Sequence, residues 1–467
     1  MTPLSQLAGK RVTVMGLGLH GGALGTIRWL HEQGANITVT DLQSEQGLAT
    51  TVAQLKDIPN ITWVLGRHRD EDFTDADLVI RNPAVRRDSQ YLALATAHHV
   101  PIEMDSSLFF KYSPTENIIG ITGSKGKSTT THAISHLLQV KYPQAVTVGI
   151  DGASPLGKLA DVTKDCVVVF ELSSWRLEAL DKMGVSPHTA VVTSIYEDHL
   201  NTYSSFAEYI ETKKSIFRHQ DPTDRVILNA DDAIIRKWTG ELTSDVFWYS
   251  LGSKLPTQYG IYVKRGVITI RIRSGTVSLF PLSRLQLKSE HERRNVLPAI
   301  LLGFLGGIPI DSIELNIRNL KGLAHRLEKV RVMNSVTYIN DSAATMPDAT
   351  IAAVKALNKK HLVLILGGND KRLRFENLAV ALAQARVRGI VFLPGTATDR
   401  LERQIRGAYG TPPQMVPAAS MPEAVATATE LARPGDVVLL SPGATSFGLF
   451  QHEFHRGDVF KSAVQAL

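Results

Sequence analysis

The chain has 467 residues, at roughly 150 residues per domain enough for about three domains. Hydrophobic residues make up 43% and charged residues 21%, which excludes a disordered, collagenous or coiled-coil chain. The 51 Lys and Arg against 45 Asp and Glu leave a dispersed charge of +6, suited to small anionic ligands such as nucleotides rather than to nucleic acid. A single Cys excludes an intrachain disulfide framework and a Cys-based metal cluster. The longest apolar run, residues 299–308, is too short for the ~20 residues of a bilayer span. The opening MTPLSQLAGKR lacks the charged-then-apolar order of a signal peptide, so a cytoplasmic chain without membrane partners is expected.

Short β-branched runs alternate with longer amphipathic stretches throughout. RVTVMGLG, ITVTDL and ADLVIRN come first, then NIIGITGS, CVVVFELS, AVVTSI and RVILNA, and finally VTYIND, LVLILGG, GIVFLPG and DVVLLSPG. This alternation predicts an α/β protein built of βαβ units with mostly parallel sheets. Residues 250–287 are instead rich in β and turn residues, predicting an antiparallel meander inserted in the middle segment. The expected domains are 1–113, 114–322 and 323–467.

In the first segment, G-L-G-L-H-G at 16–21 follows a strand and reads as a dinucleotide fingerprint. Asp41, after the strand NITVT, stands at the distance of a ribose contact. A nicotinamide enzyme remains open for this segment.

The middle segment opens with a strand, a glycine-rich turn and a helix start, NIIGITGSKGKSTTTHAISHLL. Gly123, Ser124, Lys125, Gly126, Lys127, Ser128 and Thr129 form the phosphate loop. Glycines let backbone N–H groups turn toward phosphate oxygens, and the helix N-terminus favours anions. Lys127 can reach the β- and γ-phosphates, and Ser128 can bind Mg²⁺. Ile121 stands where the common P-loop has glycine; the competing reading is a glycine-rich turn with a surface lysine.

The run T-G-S-K-G-K-S resembles the loop of the Mur ligases and of the folylpolyglutamate synthases. F-E-L-S-S-W-R-L-E at 170–178, Y-E-D-H-L-N-T-Y at 196–203 and N-A-D-D at 229–232 resemble further Mur ligase landmarks. So do A-H-R-L-E at 324–328, I-N-D-S-A-A-T at 339–345, G-G-N-D-K at 367–371 and L-S-P-G-A-T-S-F at 440–447. They occur in family order along nearly the whole chain.

The resemblance implies three domains: a Rossmann-like N-terminal domain for a UDP-sugar, a central P-loop ATPase domain with a small antiparallel insertion, and a Rossmann-like C-terminal domain for glutamate. It implies a cytoplasmic, monomeric ligase that phosphorylates a carboxylate with ATP and lets an amine displace the phosphate. The expected substrates are UDP-N-acetylmuramoyl-L-alanine and D-glutamate, for peptidoglycan precursor synthesis. Clustered negative charge calls for two Mg²⁺ ions, lysines and backbone dipoles. The resemblance gives Ser128, Glu171, His199 and a carbamylated Lys213 to the metals, with Lys127, His199 and Lys213 catalytic. Lys213 rather than Lys214 shares a helical face with Phe206, Tyr209 and Phe217. Beyond the phosphate loop, Asn295, Arg326 and Asp341 fall on ATP positions. Gly18, Leu19, His20 and Asp41 fall on the UDP-substrate site, and Thr345, Lys371, Ser446 and the Phe454 backbone on the glutamate site.

Three positions depart from the family pattern. H-N-x-x-N reads H-E-R-R-N at 291–295, with Glu292 for the first Asn. N-D-S-K-A-T has Ala343 in place of its lysine, and Met346 replaces an Asn. The alternatives are a Mur-type ligase with another substrate, such as L-glutamate, and a P-loop regulator or dehydrogenase-like binding protein without ligase activity. A folylpolyglutamate synthase begins at its ATPase, which the N-terminal G-x-G-x-x-G segment argues against.

Overall fold

Three open sheets carry the chain. In the computed structural model, residues 6–18, 22–83, 85–150, 153–197, 203–287, 289–320, 322–370, 374–446 and 449–467 are described. They form two compact units, residues 1–320 and 321–467.

The first sheet is all parallel, in the order Thr62–Leu65, Asn36–Asp41, Arg11–Met15, Leu78–Arg81, Ile102–Glu103. The order reverses beside Arg11–Met15, so the carboxyl ends of that strand and of Leu78–Arg81 flank a crevice, the place where open α/β sheets take ligands. Short strands at Thr62–Leu65 and Ile102–Glu103, which have no long β-branched run, complete its edges.

The second sheet has nine strands. Its heart is Ile118–Thr122, paired in parallel with Val168–Glu171 on one side and Thr189–Val192 on the other. Arg225–Asn229 and Asp245–Ser250 continue it, and then Gly260–Lys264, Val267–Ile272 and Gly275–Pro281 run as the predicted antiparallel meander. The meander extends this sheet at its edge instead of forming a body of its own, through parallel pairing of Asp245–Ser250 with Gly260–Lys264.

Period-two alternation buries both faces of the central strand. Ile118 joins the apolar cluster shared with Val12, Val39 and Phe109 of the first segment, whereas Ile119 and Ile121 face Ile134, Leu137 and Ile300. Gly120 lies between two walls: a Cβ there would stand 2.6 Å from Pro187 and 2.9 Å from Leu172. One continuous core therefore joins the first two sheets. Burial of each aliphatic side chain contributes about 1.5–3 kcal/mol, so separating them would expose a large apolar surface.

The third sheet, in the second unit, has the order Glu328–Met333, Val336–Asn340, Val437–Leu440, Leu362–Gly367, Val387–Leu393, Gln414–Pro417, with only the first pair antiparallel. Leu362, Leu364 and Leu366 face one core, and Val363 and Ile365 the other. Again the strand order turns at the centre, between Val437–Leu440 and its neighbours.

Candidate functional site

Residues 123–126 leave the carboxyl end of Ile118–Thr122, and the helix Lys127–Leu138 follows. Gly123 and Gly126 have φ of +146° and +88°, conformations that side chains resist. Space forbids side chains as well: a Cβ on Gly123 would lie 2.0 Å from Thr193 Oγ1, and one on Gly126 2.7 Å from Asn295 Oδ1. The helix begins with no side-chain cap and no acidic residue in its first turn, leaving its N–H groups and partial positive charge to an incoming anion.

The loop is braced from the neighbouring strand end. Ser124 N donates to Ser194 O at 2.7 Å, and Lys125 N to Ser194 Oγ at 3.1 Å. Thr193 Oγ1 donates to Lys125 O at 2.6 Å, and Tyr196 N to Ser124 Oγ at 2.9 Å. Ser124 Oγ also meets the Tyr209 hydroxyl at 3.0 Å. The N-A-D-D landmark explains itself as a second brace: Asn229 Nδ2 donates to Thr193 O at 2.7 Å, and Asp232 accepts from Ile195 N at 2.8 Å. Lys127 Nζ folds back onto Gly123 O and Ser124 O at 2.9 and 3.3 Å, so its charge lies over the loop's mouth.

Glu171 ends the strand beside the loop, opposite Ile121 in register. Its Oε2 is buried with no hydrogen-bond partner. A carboxylate oxygen withdrawn from water without a partner is costly, and a cation supplies what is missing. Lys213, on the helix Phe206–Arg218, is only 1% exposed and donates from Nζ to Thr122 Oγ1 at 3.0 Å. Glu171, Lys213 and the phosphate loop thus meet at one carboxyl edge. The donor set fits a Mg²⁺–nucleotide: a hard oxygen ligand at Glu171, the Ser128 hydroxyl at the helix start, and a cation at Lys127 for the phosphates, with the Lys213 amine close by. His199 lies outside the described residues, as do Leu19, His20 and Lys371. Among the described residues no group of three or more His, Cys, Asp or Glu is placed to hold a metal alone.

Asn295, on the helix Glu290–Leu305, touches Gly126, and its carbonyl accepts from Thr130 Oγ1 at 3.1 Å. Glu292, the departure from H-N-x-x-N, has local work. With Ser289 it forms a capping box, accepting from Ser289 N at 2.8 Å while Ser289 Oγ accepts from Glu292 N at 3.1 Å.

In the first sheet, Asp41 holds the glycine turn. Its Oδ2 accepts from Leu17 N at 2.9 Å and Gly18 N at 3.3 Å, and its Oδ1 from Gln43 N at 2.9 Å. The carboxylate that spacing marked as a ribose contact is in this structure occupied in shaping the loop. Arg176 was not foreseen. Its guanidinium, buried with Asp105, ties the two sheets of the first unit together.

In the second unit Asp341 follows the strand Val336–Asn340 and accepts from Ser441 Oγ at 2.7 Å and Leu327 N at 3.1 Å. Burial pushes its carboxyl up to about 6, against the hydrogen bonds and the attraction of Arg326. Arg326 itself is exposed. Ser446 Oγ is buried without a partner, Thr345 is half-buried, and the Phe454 ring rests against His325 and His452. Ala343, which lacks the family lysine, donates its N–H to His325 O at 3.0 Å. Beneath it Arg456 is fully buried and donates to Ser342 Oγ, Ser342 O and Ala444 O at 3.0, 2.8 and 3.1 Å.

A glycine phosphate loop at the carboxyl edge of a mostly parallel sheet, with a second Rossmann-like sheet in the same unit and a third sheet in the other unit, defines a three-domain α/β nucleotide-binding protein. Family models for the Mur ligase MurD-like N-terminal domain, the Mur ligase middle domain and the Mur ligase glutamate ligase domain match residues 10–103, 121–303 and 325–443. The chain belongs to the Mur ligase family. It is 40% identical to the UDP-N-acetylmuramoylalanine--D-glutamate ligase of Roseiflexus sp., with 99% of each chain covered. It is 34% identical to the ligase of the same name from Symbiobacterium thermophilum, with 98% of each covered. Among solved structures, UDP-N-acetylmuramate-alanine ligase from Thermotoga maritima shares the fold, with a TM-score of 0.61 at 20% identity over 98% of this chain and 99% of that one. A pseudomurein peptide ligase from Methanothermus fervidus does so with a TM-score of 0.56 at 18% identity, over 98% and 100%.

Proposed function

We propose that this ATP-dependent amide ligase joins D-glutamate to UDP-N-acetylmuramoyl-L-alanine, in the cytoplasm and as a monomer. The names of its full-length relatives support the substrates. The observation that carries the chemistry is the carboxyl edge where the phosphate loop, the unpaired Glu171 oxygen and the buried Lys213 amine converge. Among the described residues no helix is long and apolar enough to cross a membrane.

A carboxylate resists an amine because oxide is a poor leaving group. Transfer of the γ-phosphoryl group from ATP to the alanyl carboxylate breaks the bond to ADP and forms an acyl phosphate. The glutamate amine then attacks the carbonyl carbon, a proton is lost from nitrogen, and inorganic phosphate leaves. In this reading the N–H groups at residues 123–129 cradle the phosphates and Lys127 balances the charge that spreads over them. Bound Mg²⁺ would neutralise phosphate charge, held by Ser128, Glu171, His199 and a carbamate on Lys213. Unmodified, Lys213 would set a positive charge beside the metal; carbamylation reverses the sign. The carbamate forms when the neutral lysine amine takes up CO₂.

Asn295, set against the loop, is assigned to the adenine, and Arg326 and Asp341 keep their expected roles toward ATP. Gly18, Leu19 and His20 precede a helix N-terminus that suits the UDP diphosphate, with Asp41 as the residue that shapes the turn. Thr345, Lys371, Ser446 and the Phe454 backbone are assigned to glutamate; the unpartnered Ser446 hydroxyl is the best supported of these.

The test is product release. ADP and phosphate should appear only when UDP-N-acetylmuramoyl-L-alanine and D-glutamate are both present. Equal turnover with L-glutamate would overturn the stereochemical assignment, and ATP hydrolysis indifferent to both substrates would overturn the ligase.

A further inference from the structure

Arg176 makes four hydrogen bonds on two sides. Toward the first sheet, Nε donates to Asp105 Oδ1 at 3.2 Å and Nη2 to Asp105 Oδ2 at 2.8 Å. Toward the second, Nη1 donates to Gly149 O and Nη2 to Ala153 O, both at 2.9 Å. The pair is almost dry, with side chains 6% and 4% exposed. A buried ion pair of this kind contributes little net stability, because desolvation consumes most of its attraction. What it fixes is geometry, since a planar fork accepts only one arrangement of its acceptors.

Each end of the pair reaches a site assigned above. Asp105 opens the helix Asp105–Tyr112, directly after the last strand of the first sheet, and lines a small cavity with Gly22, Thr26, Arg81 and Asn82. That cavity is at the crevice where the strand order reverses, behind the glycine turn. At the other end, Gly149 has φ +80° and is wedged between Arg176 and Glu171: a Cβ there would stand 2.9 Å from Arg176 Nη1 and 2.5 Å from Glu171 O. Gly149 thus packs too closely for any side chain against the main-chain carbonyl of Glu171, the residue whose carboxylate ends the strand. Further contacts make the junction stiff, for Ser106 Oγ donates to Arg176 O at 3.1 Å, and Thr26 Oγ1 meets Ser154 Oγ at 2.8 Å.

We infer that Arg176 is a positioning residue that couples the nucleotide-sugar crevice of the first sheet to the metal-bearing edge of the second, through Asp105 on one side and Gly149 and Glu171 on the other. Filling the crevice then sets Glu171, so the Mg²⁺–nucleotide is bound best when the acceptor carboxylate is present to receive phosphate. The inference rests on the substrate assignments proposed above.

Calorimetric binding of Mg²⁺ with a non-hydrolysable ATP analogue, with and without saturating UDP-N-acetylmuramoyl-L-alanine, tests it. The wild-type protein should bind the analogue at least about fivefold tighter when the UDP substrate is present. Arg176→Lys keeps the charge and loses the fork, and should show less than about twofold coupling. The double variant Asp105→Leu with Arg176→Met removes both charges together, avoiding an unpaired buried ion, and should behave alike. Wild-type-sized coupling in either folded variant, or none in the wild type, overturns the inference. If neither variant folds, hydrogen exchange on the wild type decides it: the UDP substrate alone should slow exchange at Gly149, Ala153 and Leu172, and unchanged rates there refute it. Failure of the UDP substrate to bind the wild type at all would instead remove the substrate assignment itself.

Discussion

Lys213 Nζ lies 3.0 Å from the Thr122 hydroxyl, at the mouth of the phosphate loop, while Lys214, one residue on, turns away to Glu211 and Glu241 at 2.9 and 2.8 Å. One step along a helix rotates a side chain by about 100°, and that rotation separates a buried amine at the reaction edge from a surface ion pair. Lys213→Ala should be nearly inactive, and acetate or formate should partly restore turnover by standing in for the carbamate. Chloride at equal ionic strength should not. Lys214→Ala, losing its ion pairs with Glu211 and Glu241 and its place over the Trp238 ring, should keep turnover within about twofold. A dead Lys214→Ala beside an active Lys213→Ala would reverse the assignment.

Lys127→Ala removes the cation that now lies over Gly123 O and Ser124 O. Loss of an electrostatic partner of the transition state costs on the order of 3 kcal/mol, or ~100-fold in rate. Steady-state turnover within a few-fold of wild type would remove the phosphate role.

Glu171→Gln should raise the Mg²⁺ concentration needed for half-maximal turnover by about tenfold or more, since an amide is a weaker ligand than a carboxylate. Its buried Oε2 has no partner to lose, so the thermal midpoint should hold or rise. A superimposable Mg²⁺ titration would return Glu171 to a passive strand end.

Gly126→Ala should abolish binding of an ATP analogue while leaving most of the fold in place. Its Cβ would meet Asn295 Oδ1 at 2.7 Å, at a φ of +88°. Fluorescence titration with a labelled nucleotide checks this, and unchanged affinity would show that the loop can relax.

Asp341 should give the second unit a pH-dependent cost. Burial raises its carboxyl from the ordinary value of 3.8 to about 6, so the folded state holds the proton more tightly than the unfolded chain. The resulting stability is complete below pH ~4 and is lost as pH rises through ~6. The difference amounts to about 3 kcal/mol. Asp341→Asn should therefore gain on the wild type in denaturant melts between pH 4 and 7. Parallel stability curves would show that the carboxyl is not strained.

The strands were legible because buried parallel strands are written as β-branched runs, and CVVVF and LVLILG read at sight. The sheet-edge strands Thr62–Leu65, Val146–Val148 and Gln414–Pro417 were not, because they are short and one side is left open. The phosphate loop was legible because glycine, lysine and serine at fixed spacing leave few readings. Arg176 was hidden for the opposite reason: an arginine in W-R-L-E looks like a solvated helix residue until Asp105, 71 residues earlier, is folded against it. Glu292 shows a further limit, since one carboxylate at a motif position turned out to cap the start of a helix.

The antiparallel ribbon at residues 260–281 grows from the border of the second sheet, with three strands between it and the strand that feeds the phosphate loop. Its hairpin turns at Arg265 and Gly266, where both residues have positive φ and both are exposed. It is therefore a natural port for engineering. A fluorophore or short affinity peptide inserted there should report on the first unit, or tether the enzyme to a surface, while turnover stays as it was.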